Sequence, residues 1–429
     1  MTARPKSRSG RASAARGLPF TARLLAAVFV VSLFPVFAYA GQSAAGESPS
    51  QAKTPILRVT PGDAATERGF IAFYNMEYVP AIADFEASLN AHPNDPYAVN
   101  HLLEGVLFQE LHREGKLDAQ LYLSNEFVHM QKKAPDPEAI ARVNELTERA
   151  TKLEEAELAR NPNDVRALYA RSVTRGLRAT EEALVSKEWF SALRSGLGAY
   201  NDSKRILELD PKFSDAKLVV GIYNYVVGSL SWPVKVAMLL VAIHGSRTKG
   251  LELMKQAADG GGEASVDAKT ALALFLAREH RYGQALVQTR WLYATFPHNF
   301  LYGLSEAGLL KSADEIPQAM EVYRKLIALG KVGEFGSQDV GPAGWGLGLL
   351  LRSKQDWRGA AEAFDTAATL PHTSPELVAQ AQLAAGQMYD RAGDRDLAVS
   401  RYERVVDDSQ DPKLVKQAKH WLNEPYNGA

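Results

Sequence analysis

The chain has 429 residues, no cysteine and a formal net charge of −1, which excludes disulfides, thiolate metal sites, a cysteine nucleophile and an N-terminal lipid-modified cysteine. The near-neutral balance hides a bias: six basic groups and no acid lie in the first forty residues, leaving 43 basic against 50 acidic residues beyond them, near −7. A mildly acidic surface carries no electrostatic footprint for nucleic acid, and a hydrophobic content of 46% suffices for a continuous core.

The six early basic groups are Arg4, Lys6, Arg8, Arg11, Arg16 and Arg23. They precede an apolar stretch, Leu24 to Phe37, and then Ala38-Tyr39-Ala40 before Gly41. Basic run, apolar run and small-x-small site predict a secretory signal peptide over residues 1–40. An apolar stretch of about 15 residues, interrupted by Pro35, is short for a membrane span. The expected location is therefore the periplasm or cell envelope. Residues 41–61 are rich in Gly, Ser, Ala, Gln and Pro and read as a flexible linker.

Helical pairs follow. Gly69 and Ala72 belong on one helix and Ala81, Phe85 and Ser88 on the next, with Pro93-Asn94-Asp95-Pro96 as the stop. Leu102, Leu103, Val106, Leu107 and Leu111 make a helical stripe over Tyr97 to Glu114, and Leu117 to Lys132 is its expected partner. A further helix runs from Glu138 to Arg160, and Asn161-Pro162-Asn163-Asp164 turns the chain into a long helix from Val165. Its partner carries Ala199 and Ile206 and ends at Leu209-Asp210-Pro211. Ser214 to Leu230 and Pro233 to Ile243 are the most apolar part of the mature chain; the latter, about eleven residues, is too short to span a bilayer and reads as a buried helix.

From residue 263 onward four clearer pairs complete the chain, with second-helix alanines at Ala285, Ala319, Ala360 and Ala398. In one pair Leu347, Gly348 and Leu351 are followed by Ala360, Phe364 and Ala367; in the next, Ala385, Gly386 and Tyr389 are followed by Ala398, Tyr402 and Val405. Each small residue falls where two antiparallel helices must approach closely, and each aromatic fills the gap beside it. This pattern resembles the tetratricopeptide (TPR) family, whose repeat is about 34 residues. The resemblance implies an all-α, TPR-like helical-repeat superhelix, with a divergent N-terminal region at 62–262, C-terminal repeats at 263–429 and Pro412 to Leu422 as a cap. Gly221, Asn224, Ser229, Pro233 and Gly250 to Leu253 also resemble a short part of a eukaryotic TPR family that includes a fungal inclusion-clearance protein; no function is carried over from it.

No catalytic or cofactor motif competes with that reading, so the expectation is a protein that is not an enzyme and has no cofactor. His101, Glu104, Glu110 and His112 are the nearest approach to a metal cluster, but they spread over roughly 16 Å of helix and cannot close around one ion. In the TPR family the inner wall is lined by first helices, and a few exposed positions on them contact the ligand. Carried over repeat by repeat, those positions here include Arg278, Lys311, Trp345, Arg352, Gln387 and Arg391, a set suited to an extended peptide bearing carboxylates. The expected role is an exported scaffold binding another envelope protein in its concave groove. The alternative is a membrane-associated assembly or transport factor that makes its contact through residues 229–243.

Overall fold

The computed structural model describes residues 59–117, 134–229 and 245–428. The expected signal peptide, most of the linker, the helix expected over Leu117 to Lys132 and the apolar contact at 229–243 therefore lie outside the described residues, but for 59–61, Leu117 and Ser229.

Among the described residues the chain forms seventeen helices and no strand. The first three are α1 (Ala64–Tyr74), α2 (Tyr78–Ala91) and α3 (Pro96–Arg113). The next five are α4 (Pro137–Arg160), α5 (Val165–Leu184), α6 (Trp189–Leu209), α7 (Ala216–Ser229) and α8 (Arg247–Asp259). Then come α9 (Ser265–Arg278) with α10 (Tyr282–Thr295), α11 (Phe300–Ser312) with α12 (Ile316–Lys331), and α13 (Gly341–Ser353) with α14 (Trp357–Thr369). The array closes with α15 (Pro375–Ala392), α16 (Arg395–Asp408) and α17 (Pro412–Asn423). Successive helices pack on one another throughout, which makes the chain the TPR-like helical solenoid expected from its sequence. One hydrophobic cluster runs from Val59 to Ala418, crossing residue 262.

Local chemistry sets the helix ends. Asp95, Asp164, Asn299 and Asp411 each cap a helix by accepting backbone N–H groups two or three residues ahead, which satisfies donors the helix itself leaves unpaired. Pro96, Pro137, Pro375 and Pro412 follow the caps, where a missing N–H costs nothing. The turn between first and second helices recurs. Met76, His280, Asp314, Gln355 and Gly393 all have positive φ, between 59° and 84°, and the residue after each donates back to the first helix, as in Asp356 N to Leu351 O and Asp394 N to Tyr389 O, at 3.1 and 2.9 Å. Only Gly393 adopts this conformation without a Cβ penalty.

The close approach within each pair is physical. A Cβ on Gly69 would lie 2.5 Å from the Phe85 ring, one on Gly348 2.6 Å from Phe364 and one on Gly386 2.5 Å from Tyr402. Ala81, Ala285, Ala319, Ala360 and Ala398 are fully buried on the second helices. The aromatic beside each glycine contributes roughly 1.5–3 kcal/mol by leaving water, and it does so only because the glycine lets its helix come near.

Gly386→Ala is expected to destabilise the protein by about 1–3 kcal/mol, because Tyr402 is wholly buried and tied to Asp390 and cannot yield. Gly283→Ala, on an exposed face with open space around it, should instead stabilise by about 0.5 kcal/mol. Denaturant unfolding compares the two, and similar losses would contradict the contact. Gln355→Gly should gain about 0.5–1 kcal/mol by relieving a positive φ; a loss in the same assay would argue against strain there.

Candidate functional site

The helices α1, α3, α5, α7 and α9 are the first members of their pairs, and together they line an interior cavity of about 100 Å³. About 10–15 Å³ admits one water, so the space takes a small organic group. Phe70 and Tyr74 of α1, Phe108 of α3 and Tyr169 of α5 supply aromatic walls, and Val173, Leu177, Leu218 and Ile222 complete the apolar part. Four carboxylates reach the same space: Glu104 of α3, Asp215 just before α7, Glu263 just before α9, and Asp267 of α9. Among the described residues, no lysine or arginine lines it.

One side of the cavity is formed where the solenoid curls back on itself. The Tyr74 hydroxyl donates to Asp267 Oδ2 at 3.3 Å, across 193 residues of sequence. His101 Nε2 pairs with Glu263 Oε1 at 2.9 Å, and Thr60 N donates to Glu263 Oε2 at 3.3 Å. Below these, the turn before α11 meets the turn after α1: His298 N donates to Asn75 Oδ1 at 3.0 Å and Asn299 Nδ2 to Tyr74 O at 2.8 Å. The rings of Tyr74 and Phe296 lie 5.1 Å apart at the same junction.

The carboxylates are held in different ways. Asp215 accepts the Glu263 backbone N–H at 3.2 Å and the Ser214 hydroxyl at 3.3 Å. Asp267 has the Tyr74 hydroxyl and Glu263 the His101 ring. Burial pushes Asp267 up to about 7, with the nearby Glu263 and Asp215 charges adding to the rise and the Tyr74 bond opposing it. Asp215 is pushed up to about 6, by burial and then by Glu263. Glu104 is raised well above the usual carboxylate range by burial, then by Asp267 and Glu263. These shifts share one cause: negative charge is confined in a poorly solvated space whose described wall holds no lysine or arginine to offset it. Such a site stabilises a cation through field and through aromatic faces together. The serine and threonine hydroxyls of the wall are spent on helix carbonyls, Ser172 on Ala199 O and Thr180 on Gly176 O, each at 3.0 Å.

The histidine–carboxylate group noted in α3 is dispersed. His101 turns to Glu263, Glu104 faces the cavity, Glu110 pairs with Arg113 at 2.6 Å, and His112 lies against the Tyr78 ring at 5.6 Å. Among the described residues no three His, Asp or Glu side chains are arranged to hold a metal ion.

The residues carried over for partner binding fall elsewhere. Arg278, Lys311, Arg352 and Arg391 occupy the last turn of α9, α11, α13 and α15 respectively. None of them lines the cavity. Arg391 donates to Asn427 O at 2.9 Å and stacks over Trp357 at 4.4 Å. Trp345 is half-buried in α13 with its ring 5.0 Å from that of Phe364, and Gln387 is half-buried in α15. Sequence reading passed over Asp215, Glu263 and Asp267. The available signal was an acid set inside an apolar helix, as Asp267 is in Ser265 to Ala277 and Glu104 is between Leu103 and Val106.

Solved structures similar to this chain include yeast Tom70, at 13% identity over 84% of this chain and 94% of that one, with a TM-score of 0.33. Two more are of the human IFIT1 dimer. The one with PPP-AAAA shares 16% identity over 81% of this chain and 72% of that one, at a TM-score of 0.42. The one with m7Gppp-AAAA shares 13% over 94% and 84%, at 0.35. No protein-family model and no curated protein matches the sequence.

The raised pKa of Asp267 sets a direction for stability. The folded chain retains a proton that the unfolded chain loses above about pH 4, so stability falls from there to about pH 7 and is then level. Asp267→Asn removes that loss. It should stabilise by on the order of 2 kcal/mol at pH 8 and by little at pH 4. Denaturant unfolding at the two pH values checks this, and an equal effect at both would contradict it.

Proposed function

We propose that the protein is an exported helical-repeat scaffold that binds another protein of the cell envelope. In this reading the interior cavity seats a lysine or arginine side chain of that partner. The observation that carries the reading is the cavity's composition: four carboxylates, four aromatic rings and, among the described residues, no lysine or arginine in its wall. A protonated amine or guanidinium entering it gains charge pairing in a space where water screens little, and its alkyl stem meets the apolar wall. Export is supported by the basic run, apolar run and Ala38-Tyr39-Ala40 of the sequence. A helical array presenting first helices to its interior suits capture of an extended segment. The last-turn residues Arg278, Lys311, Arg352 and Arg391 would then serve acidic parts of the same partner outside the cavity.

Thermal unfolding of the purified chain tests the cavity. A short lysine-containing peptide at millimolar concentration should raise the melting temperature by about 2 °C or more, and the same peptide acetylated on the lysine amine should not. Glu104→Gln should abolish the difference between the two peptides. Equal shifts from both peptides, or none from either, would sink the assignment.

A further inference from the structure

Neighbouring helices of the array pack along one another, but the junction that closes it is of another kind. It consists of side chains and two turns: Tyr74 to Asp267, His101 to Glu263, and the Asn75–Glu77 turn against His298 and Asn299. His298 stands between two acids, with Nδ1 2.7 Å from Glu77 Oε1 and Nε2 3.5 Å from Glu334 Oε1. Both pairs are attractive in full only while the ring is protonated. The cavity acids are divided across this junction, Glu104 on the α1–α3 side and Asp215, Glu263 and Asp267 on the α7–α9 side.

We propose that this junction is a charge-controlled seam: the solenoid is closed while the charge of Glu104 or of Asp267, which face each other across it, is neutralised, and opens between α1–α3 and α9–α11 when both are negative and unpaired. Opening widens the cavity, so the same groups that would hold a cation also govern how much of it a ligand can reach. That coupling to a ligand rests on the function proposed above. The response to pH does not.

The groups facing Asp267 fix the direction. Tyr74 comes from α1, Glu104 from α3, Tyr169 from α5, Asp215 and Glu263 from the segments before α7 and α9, and Tyr302 from α11. His101 enters only through Glu263. None of the tyrosines, all raised, carries charge near neutrality, and no lysine or arginine stands among these groups. With rising pH Asp267 and Glu104 ionise, and Glu104 is then driven from the three acids opposite. That repulsion opens the seam in the alkaline direction.

Because the chain has no cysteine, two introduced thiols carry the only labels. Val79 and Val332 are exposed, at 73% and 78%, and lie near Glu77 and Glu334 on either side of His298. Dipolar EPR on the full chain with Val79→Cys and Val332→Cys labelled, without any ligand, should show one short distance at about pH 5.5 and a severalfold larger long-distance component at about pH 8.5. Asp267→Asn should suppress that component. In the unlabelled chain, amide exchange over residues 296–302, corrected for its intrinsic rise with pH, should accelerate over the same range. Unchanged distances and unchanged corrected exchange would overturn the seam, whatever the peptide experiment shows. A seam that responds to pH in a chain that ignores the lysine peptide would leave this inference standing and remove only the cation.

Discussion

The contact between a first-helix glycine and a second-helix ring governs the rest of the molecule. With Gly69 against Phe85, Gly348 against Phe364 and Gly386 against Tyr402, two helices come nearer than any side chain at the glycine would permit. That spacing fixes how each pair leans on the next, and a lean repeated through the array becomes curvature. Gly221 and Gly250 extend the principle to α7 and α8, where a Cβ on Gly250 would sit 2.7 Å from the Gly221 carbonyl oxygen. Curvature in turn brings α1 round to α9. Without it there would be no interior and no crowding of Glu104, Asp215, Glu263 and Asp267.

Confinement then gives ordinary carboxylates unusual properties. No strained backbone or special residue is required at the cavity. Aspartate and glutamate are set among rings and aliphatic side chains, near one another, in a wall to which no described arginine contributes. Arginines make their pairs elsewhere, as Arg171 and Arg175 do with Asp202. The chain thus has positive charge available and does not use it here, which distinguishes the cavity from an imperfectly neutralised core.

Most of the architecture was legible in the sequence because its rules are local. Ala285, Ala319, Ala360 and Ala398 recur at intervals close to the repeat length, and all four are fully buried. Asp95 and Asp164 announce helix starts within three residues of themselves. The cavity was not legible, because its contacts join Tyr74 to Asp267 and His101 to Glu263 over 193 and 162 residues. No period records such a meeting. Glu104 was noticed, but for its spacing from two histidines rather than for the face it occupies. Arg278, Lys311, Arg352 and Arg391 share a physical setting that one repeat alone could not reveal: each sits at the negative end of a first helix, where a cation is favoured whether or not a ligand is near.

Closure also changes what kind of object the chain is when it folds. An open array of helix pairs gains stability neighbour by neighbour and can fray from either end. Here the α1 end is fastened to α9 and α11 by bonds spanning up to 225 residues, so the first pair loses its freedom to peel away alone. Closing a loop of that length costs entropy that grows only slowly with length, but the cost falls on one event, after the local pairs have formed. The consequence is a molecule assembled quickly from near neighbours, completed by one slow encounter between distant parts, and more cooperative in unfolding than its repeat architecture alone would make it.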